Sequence, residues 1–121
     1  MPTNILLVDD SPAVRRALRL VIESQTNWRV AGEAENGLEG IEKFRELHPD
    51  VVILDLSMPV MNGLDAARRI REMSADVRIL LFTMHTYSYL KEDARKIGIN
   101  EVVSKSDDAS RLLGAVRSAL A

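Results

Sequence analysis

Asp50-Val51-Val52-Ile53-Leu54-Asp55 is the stretch that decides the fold. Val51 to Leu54 is apolar without alternation, the pattern of a strand buried on both faces of a parallel sheet. A carboxylate, Asp55, follows at its end. Three further runs have the same build. Asn4-Ile5-Leu6-Leu7-Val8 leads into Asp9-Asp10, Arg78-Ile79-Leu80-Leu81-Phe82 into Thr83, and Glu101-Val102-Val103-Ser104 into Lys105. If the runs lie parallel, one edge of one sheet carries three carboxylates, a hydroxyl and an ammonium. In open parallel sheets that edge, outside the carboxyl ends of the strands, is where ligands bind.

Helical patterns fill the gaps, so the chain alternates strand and helix as parallel α/β folds do. After the first run, Ser11 suits an N-cap and Pro12 a first helical position. Val14, Leu18, Val21 and Ile22 then recur on one helical face. A second run spans Trp28 to Ala34. The helix after it, about Gly37 to Leu47, is expected to bury Leu38, Ile41 and Phe44 and to stop at Pro49. Ser57 to Gly63 reads as a loop, and a third helix, about Leu64 to Met73, turns Ala67 and Ile70 inward. Leu90, Ala94 and Ile97 mark a fourth helix, with Gly98 fit for its C-terminal cap. The last helix starts near Asp107 or Asp108 and buries Leu112, Leu113, Val116 and Leu120.

The totals narrow the function classes. A length of 121 residues predicts one domain, 1–121, able to bury a core without staples. The chain contains no Cys, which removes disulfides and thiolate metal sites. No apolar stretch approaches a membrane span, and Met1-Pro2-Thr3-Asn4 does not resemble a signal peptide, so a cytoplasmic location is expected. A net charge of −2 disfavours direct nucleic-acid binding.

Taken singly, the residues at the strand ends have ordinary explanations. An Asp-Asp pair commonly caps a helix, Asp55 could open a loop before Pro59, a lone Lys is usually a solvated side chain, and Thr favours strands. Together they describe a chemistry. Crowded carboxylates need a cation, and Mg²⁺ takes hard oxygen ligands of this kind. A carboxylate can attack phosphorus to give an acyl phosphate, with a metal and a cation offsetting the incoming negative charge. Lys105 could supply that cation and Thr83 a hydrogen bond to a phosphoryl oxygen.

With these pieces in order, the chain resembles the receiver domain of two-component response regulators over essentially its whole length. The resemblance rests on Ile5-Leu6-Leu7-Val8-Asp9-Asp10-Ser11-Pro12, on the block from Asp50 to Gly63 (with Leu56-Ser57-Met58-Pro59-Val60-Met61-Asn62 inside it), on Leu81-Phe82-Thr83 and on Ser104-Lys105. It implies a flavodoxin-like, doubly wound α/β fold, five parallel strands in the order 2-1-3-4-5 with five helices. It implies that Asp55 is the phosphoacceptor for a histidine kinase or phosphotransfer protein. Asp10, Asp55 and the Ser57 backbone carbonyl would ligate Mg²⁺, with Asp9 nearby or through water. Lys105 would bind a phosphoryl oxygen. Thr83 would be drawn toward the phosphoryl group and reshape the loop behind it. Ser57 and His85 would tune how fast the phosphoryl group is lost.

Three places depart from the family pattern. Val102 stands where receivers usually carry an aromatic switch residue, which leaves Tyr87 and Tyr89 as candidates for that part. Ser106 replaces the usual Pro after Lys105, and a cis Lys105–Ser106 bond would cost ~3–4 kcal/mol without Pro. The sequence leaves the isomer open. Met84 follows Thr83 where many receivers carry Ala or Ser, and is expected to narrow access to Asp55. Thr83-Met84-His85 and Lys105-Ser106-Asp107 are most similar to receivers of the NarL/LuxR type.

The leading expectation is therefore a phosphorylation-controlled binding module that catalyses only its own phosphorylation and dephosphorylation. The kinase is expected at the strand edge and first helix, around Pro12, Val14 and Leu18. The output protein is expected on the last two helices and strand five, and dimerisation on phosphorylation is common in the family. The alternative is the regulatory part of a NarL/LuxR-type transcription regulator whose DNA-binding output domain lies outside this chain. An aspartyl-nucleophile phosphatase is disfavoured by Ser57, where a second acid is needed. A flavodoxin is disfavoured by the acidic turn Asp9-Asp10-Ser11-Pro12, where a phosphate cradle should offer N–H groups.

Overall fold

In the computed structural model, which describes residues 2–121, the Val51–Leu54 stretch is the central strand, β3. It pairs in parallel with β1 (Asn4–Val8) on one side and β4 (Arg78–Thr83) on the other. β2 (Arg29–Ala34) lies outside β1 and β5 (Glu101–Ser104) outside β4, so the order is 2-1-3-4-5. The helices are α1 (Pro12–Gln25), α2 (Gly37–Leu47), α3 (Gly63–Met73), α4 (Leu90–Ile97) and α5 (Ala109–Leu120).

The alternation of a strand sends successive side chains to opposite faces. Ile5, Leu7, Ile53, Leu80, Phe82 and Val103 face α1 and α5, where they meet Leu18, Ile22, Leu112, Leu113 and Val116. Leu6, Val8, Val52, Leu54, Ile79 and Leu81 face α2, α3 and α4, where they meet Ile41, Phe44, Ile70, Leu90 and Ala94. Both faces of β3 are thus covered, and its four residues are buried.

Local signals set the helix ends. Ser11 accepts a hydrogen bond from the Val14 N–H (3.3 Å) with Pro12 at the first helical position. Asn36, Asn62 and Asp108 cap α2, α3 and α5 in the same way. Gly98 closes α4 in the left-handed region at φ 100°, where a side chain would be strained. α4 alone has no side-chain hydrogen bond at its start.

Two expectations about packing need correcting. Leu38 is 43% exposed, not buried. α2 instead turns Gly37, Gly40, Ile41 and Phe44 inward, and a Cβ on Gly40 would sit 3.0 Å from a Val8 methyl. The helix lies so close to the sheet that glycines occupy the seam. On α1, Leu18 and the half-buried Val14 pack against the α5 side, which withdraws Leu18 from any docking face. The outward row of α1 is Ala13, Arg16, Ala17 and Leu20, the last 69% exposed.

β2 carries an irregularity that the sequence did not announce. Its register steps from Ile5↔Val30 to Leu6↔Gly32, leaving Ala31 as an extra residue. Val30 therefore faces α1 and α5, whereas Gly32 and Ala34 face the α2 side. Glu33 falls on the α1 side, against Arg15 and Arg19. A bulge of this kind re-aims side chains and is common near functional sites.

Candidate functional site

The four apolar runs end at one edge, as parallel strands must. Val8 and Leu54 are paired, so Asp9 and Asp55 leave adjacent strands side by side. The Asp55 N–H donates to the Val8 carbonyl (2.9 Å), and the Asp9 N–H to the Ala34 carbonyl (3.0 Å). Thr83 pairs with Ser104, and the Lys105 N–H donates to the Thr83 carbonyl (3.0 Å). This is the edge at which the chain leaves β1 in one direction for β2 and returns in the other for β3, the switch point where open α/β sheets bind ligands.

Asp9, Asp10 and Asp55 each offer a carboxylate oxygen within 4.8 Å of the others. Asp9 and Asp55 are buried and Asp10 is exposed. Lys105 Nζ lies 2.7 Å from Asp9 Oδ2 and 3.3 Å from Asp55 Oδ2. Asp9 Oδ1 accepts a hydrogen bond from the Ser11 N–H (2.9 Å). Asp55 Oδ1 is buried and has no hydrogen-bond partner. A carboxylate oxygen in that position is costly unless something positive meets it. The cluster can therefore hold a metal ion, and its all-oxygen donor set suits a hard divalent cation.

The charges have been displaced from their ordinary behaviour. For Asp9, burial is the dominant influence and lifts its carboxyl above the usual range, against the opposing pull of Lys105 and the Ser11 N–H. For Lys105, burial disfavours the charge, but the contacts with Asp9 and then Asp55 outweigh it and hold the ammonium. Two acids face Lys105 directly, and its ammonium stays charged between them.

Thr83 is fully buried, and its hydroxyl oxygen accepts the His85 N–H (3.0 Å). His85 itself is exposed, and its side chain helps line a shallow pocket of about 290 Å³ with Leu56, Ser57, Met58, Asn62 and Leu64. Met84 is 61% exposed. Tyr87 and Tyr89 also point outward, and the Tyr87 hydroxyl donates to Asp93 Oδ2 (2.9 Å). No cis peptide bond occurs among the described residues, so Lys105–Ser106 is trans. The Ser106 N–H donates to Ser104 Oγ (3.1 Å).

Sequence reasoning passed over the glycines that hold the Asp55 loop. A Cβ on Gly63 would lie 2.1 Å from the Asp55 carbonyl oxygen, and the Gly63 N–H donates to the Leu56 carbonyl (2.8 Å). A Cβ on Gly37 would lie 2.5 Å from the Met61 carbonyl, which accepts the Gly37 N–H at 3.0 Å. Between them Val60 has φ 69°, rare for a β-branched residue, inside a tight turn closed by the Met61 N–H and the Pro59 carbonyl (2.7 Å). The sequence signal was Asn62-Gly63, which marks a helix start but does not reveal how close the helix comes.

Residues 5–117 match the family described as the response regulator receiver domain. This chain belongs to that family. Over 120 residues the receiver is 38% identical to the nitrate/nitrite response regulator protein NarL of Escherichia coli (strain K12), covering 99% of this chain and 56% of NarL. The matched stretches cover 16% of one curated relative's length and 57% of another's, so the chain corresponds to only part of each. Among solved structures, a two-component response regulator of the LuxR family from Aurantimonas sp. SI85-9A1 is 37% identical. It superposes with a TM-score of 0.92 over 98% of this chain and 84% of that one. The CheX-CheY-BeF3-Mg+2 complex from Borrelia burgdorferi contains a chain that is 26% identical. That chain superposes with a TM-score of 0.95, covering 100% of the receiver and 91% of itself. The flavodoxin-like fold and the kinship with NarL/LuxR receivers agree with the reading of the sequence.

Proposed function

We propose that this receiver domain, residues 1–121, accepts a phosphoryl group on Asp55 from a phosphohistidine of a histidine kinase or phosphotransfer protein. Asp10, Asp55 and the Ser57 backbone carbonyl would hold Mg²⁺, with Asp9 beside it. Bound Mg²⁺ would offset the negative charge gathered at the edge. The observation that carries this reading is the buried Asp55 Oδ1 without a donor, in a cluster of three acids served by one lysine. A relative crystallised with Mg²⁺ supports the choice of metal.

In the transfer, an Asp55 oxygen attacks phosphorus, the N–P bond of the phosphohistidine breaks, and the imidazole leaves with the electron pair. Lys105, now closer to Asp9 than to Asp55, turns to a phosphoryl oxygen. The Thr83 hydroxyl turns to donate to a phosphoryl oxygen, and that movement carries its oxygen away from the His85 N–H and releases the segment behind it. That segment carries Met84, Tyr87 and Tyr89 outward, where a partner can read the change. Ser57 and His85, which border one pocket, govern how water reaches the acyl phosphate. The chain catalyses only its own phosphorylation and dephosphorylation. The kinase meets the edge and the outward row of α1, now Ala13, Arg16, Ala17 and Leu20.

The match to NarL over nearly the whole chain favours a second reading of the output. Here the receiver regulates a DNA-binding domain of the same polypeptide, in the cytoplasm, with a phosphorylation-dependent homodimer as one arrangement. The chain itself, at a net charge of −2, does not bind DNA.

Intact-protein mass after incubation with Mg²⁺ and acetyl phosphate tests the site. One phosphoryl group is expected, absent without Mg²⁺ and absent in Asp55→Asn. Uptake by Asp55→Asn at the wild-type rate sinks the assignment. If acetyl phosphate fails, a phosphorylated histidine kinase replaces it, and silence there rejects the phosphoacceptor role.

A further inference from the structure

We propose that Glu33 and Arg15 act as positioning residues for the acidic turn Asp9-Asp10, holding its carboxylates where a divalent cation binds. This role rests on the metal-site reading above.

The chain of contacts starts in the bulge of β2. With Ala31 as the extra residue, Glu33 is delivered to the α1 side of the sheet. There its Oε1 accepts Arg15 Nε (2.9 Å) and its Oε2 lies 2.8 Å from Arg19 Nη2. Burial works against ionisation of Glu33, but the hydrogen bonds from Arg19 and Arg15 outweigh it and keep the carboxyl below its usual range. Arg15, only 14% exposed at its side chain, uses its remaining arm to donate from Nη1 to the backbone carbonyl of Asp9.

Asp9 is thus gripped on both sides of its own backbone. Its N–H is held by the Ala34 carbonyl at the end of β2, and its carbonyl by Arg15, which is anchored on Glu33 one residue earlier. Glu33 also keeps a guanidinium close to the acids while directing it at a neutral carbonyl instead of at a carboxylate. A planar fork can bridge Glu33 and the Asp9 carbonyl together, and a lysine ammonium cannot reproduce that span. Without the bridge the turn has one fewer tether, and Asp10, the exposed acid of the three, has the most freedom to stray.

The sign of the effect separates positioning from plain charge. Removing a nearby cation should, by electrostatics alone, tighten Mg²⁺ binding. Losing the geometry should weaken it. Calorimetric titration with Mg²⁺ alone would compare the wild type with Arg15→Ala, Arg15→Lys, Glu33→Gln and the Arg15→Ala/Glu33→Gln double variant, with thermal melts to confirm folding. Groups that hold metal ligands are typically worth about 10–100-fold in affinity, so a rise of about tenfold in Kd is expected for both Arg15 variants and less for Glu33→Gln. The double variant should be no weaker than Arg15→Ala alone, because Glu33 acts through Arg15. Phosphoryl uptake at saturating Mg²⁺ should stay within about twofold of wild type while the half-saturating Mg²⁺ concentration rises.

Folded Arg15→Ala and Arg15→Lys with unchanged or tighter Mg²⁺ binding would overturn the proposal. If Arg15→Ala does not fold, Arg15→Lys decides it: that variant keeps the charge and loses the fork, so weaker Mg²⁺ binding supports the role and unchanged or tighter binding overturns it. A wild type that binds no Mg²⁺ removes the metal reading and this role together, an outcome distinct from a wild type that binds and variants that bind equally well.

Discussion

At the amino-terminal edge of the sheet, Arg71 donates to the carbonyls of Gly98, Ser74 and Ala75 and to Asn100 Oδ1. Asn100 Oδ1 also takes the Ile79 N–H, and the Asn4 N–H meets Asp50 Oδ2 at 2.8 Å. At the carboxyl-terminal edge, Asp9, Asp10 and Asp55 crowd together and Lys105 pairs with Asp9 and Asp55. Among the described residues, each edge leaves one buried side-chain oxygen without a partner, Asn4 Oδ1 at the first and Asp55 Oδ1 at the second. The amide oxygen is neutral and its cost is modest, whereas an unmatched carboxylate oxygen in a like-charged cluster is far more costly. The larger hollow, about 660 Å³ between Phe44, His48, Met73, Val77 and Leu120, lies at the amino-terminal edge, away from the acids. Volume is therefore a poor guide here, and unbalanced charge a better one.

The contrast breaks if the two edges respond alike to losing a charged group. Arg71→Ala should cost the most stability, roughly 2–3 kcal/mol, because it strips both donors from the Gly98 carbonyl and frees the turn before β5. Urea unfolding would measure it, and a loss under about 0.5 kcal/mol would mean the network is ornamental. Asp55→Asn should move the other way, raising stability without Mg²⁺ on the order of 1 kcal/mol by relieving like-charge crowding. A lower melting temperature for Asp55→Asn in chelator would show that the acid cluster is stabilising as it stands.

The smallest effect sharpens the comparison at the bulge. The folded carboxyl of Glu33 sits below its unfolded value of 4.5, so its contribution is complete above that pH. It drains away as the pH falls from there through the lower folded value, since the unfolded chain takes up the proton first. The pair is partly solvated, so no more than about 1 kcal/mol is involved. Glu33→Gln should flatten the acid limb of the stability curve by that amount. An acid limb that superposes on wild type would leave Glu33 without an electrostatic part in the fold.

Much of this was legible in the chain. The strand runs, the caps at Ser11 and Gly98, and the inward residues Ile41, Phe44, Ala67, Ile70, Leu112 and Val116 follow from short-range pattern and local hydrogen bonding. The positions of Asp9, Asp55, Thr83 and Lys105 followed as well, because a residue that ends a parallel strand can only lie at the shared edge. Leu38 was misread because hydrophobicity counts side chains, and the inner seam of α2 is built from residues that lack them.

By itself, then, the sequence determined which elements form, their parallel arrangement and the set of groups gathered at one edge, since period, capping and strand polarity are properties of neighbours in the chain. Only the tertiary structure decided which acid holds Lys105, which oxygen of Asp55 is left without a partner, and that Glu33 reaches Arg15. Those depend on a one-residue slip between β1 and β2 and on backbone approaches at Gly37 and Gly63 that are set by packing across the sheet. No local pattern encodes them, because each is a distance between residues that meet only once the whole sheet has formed.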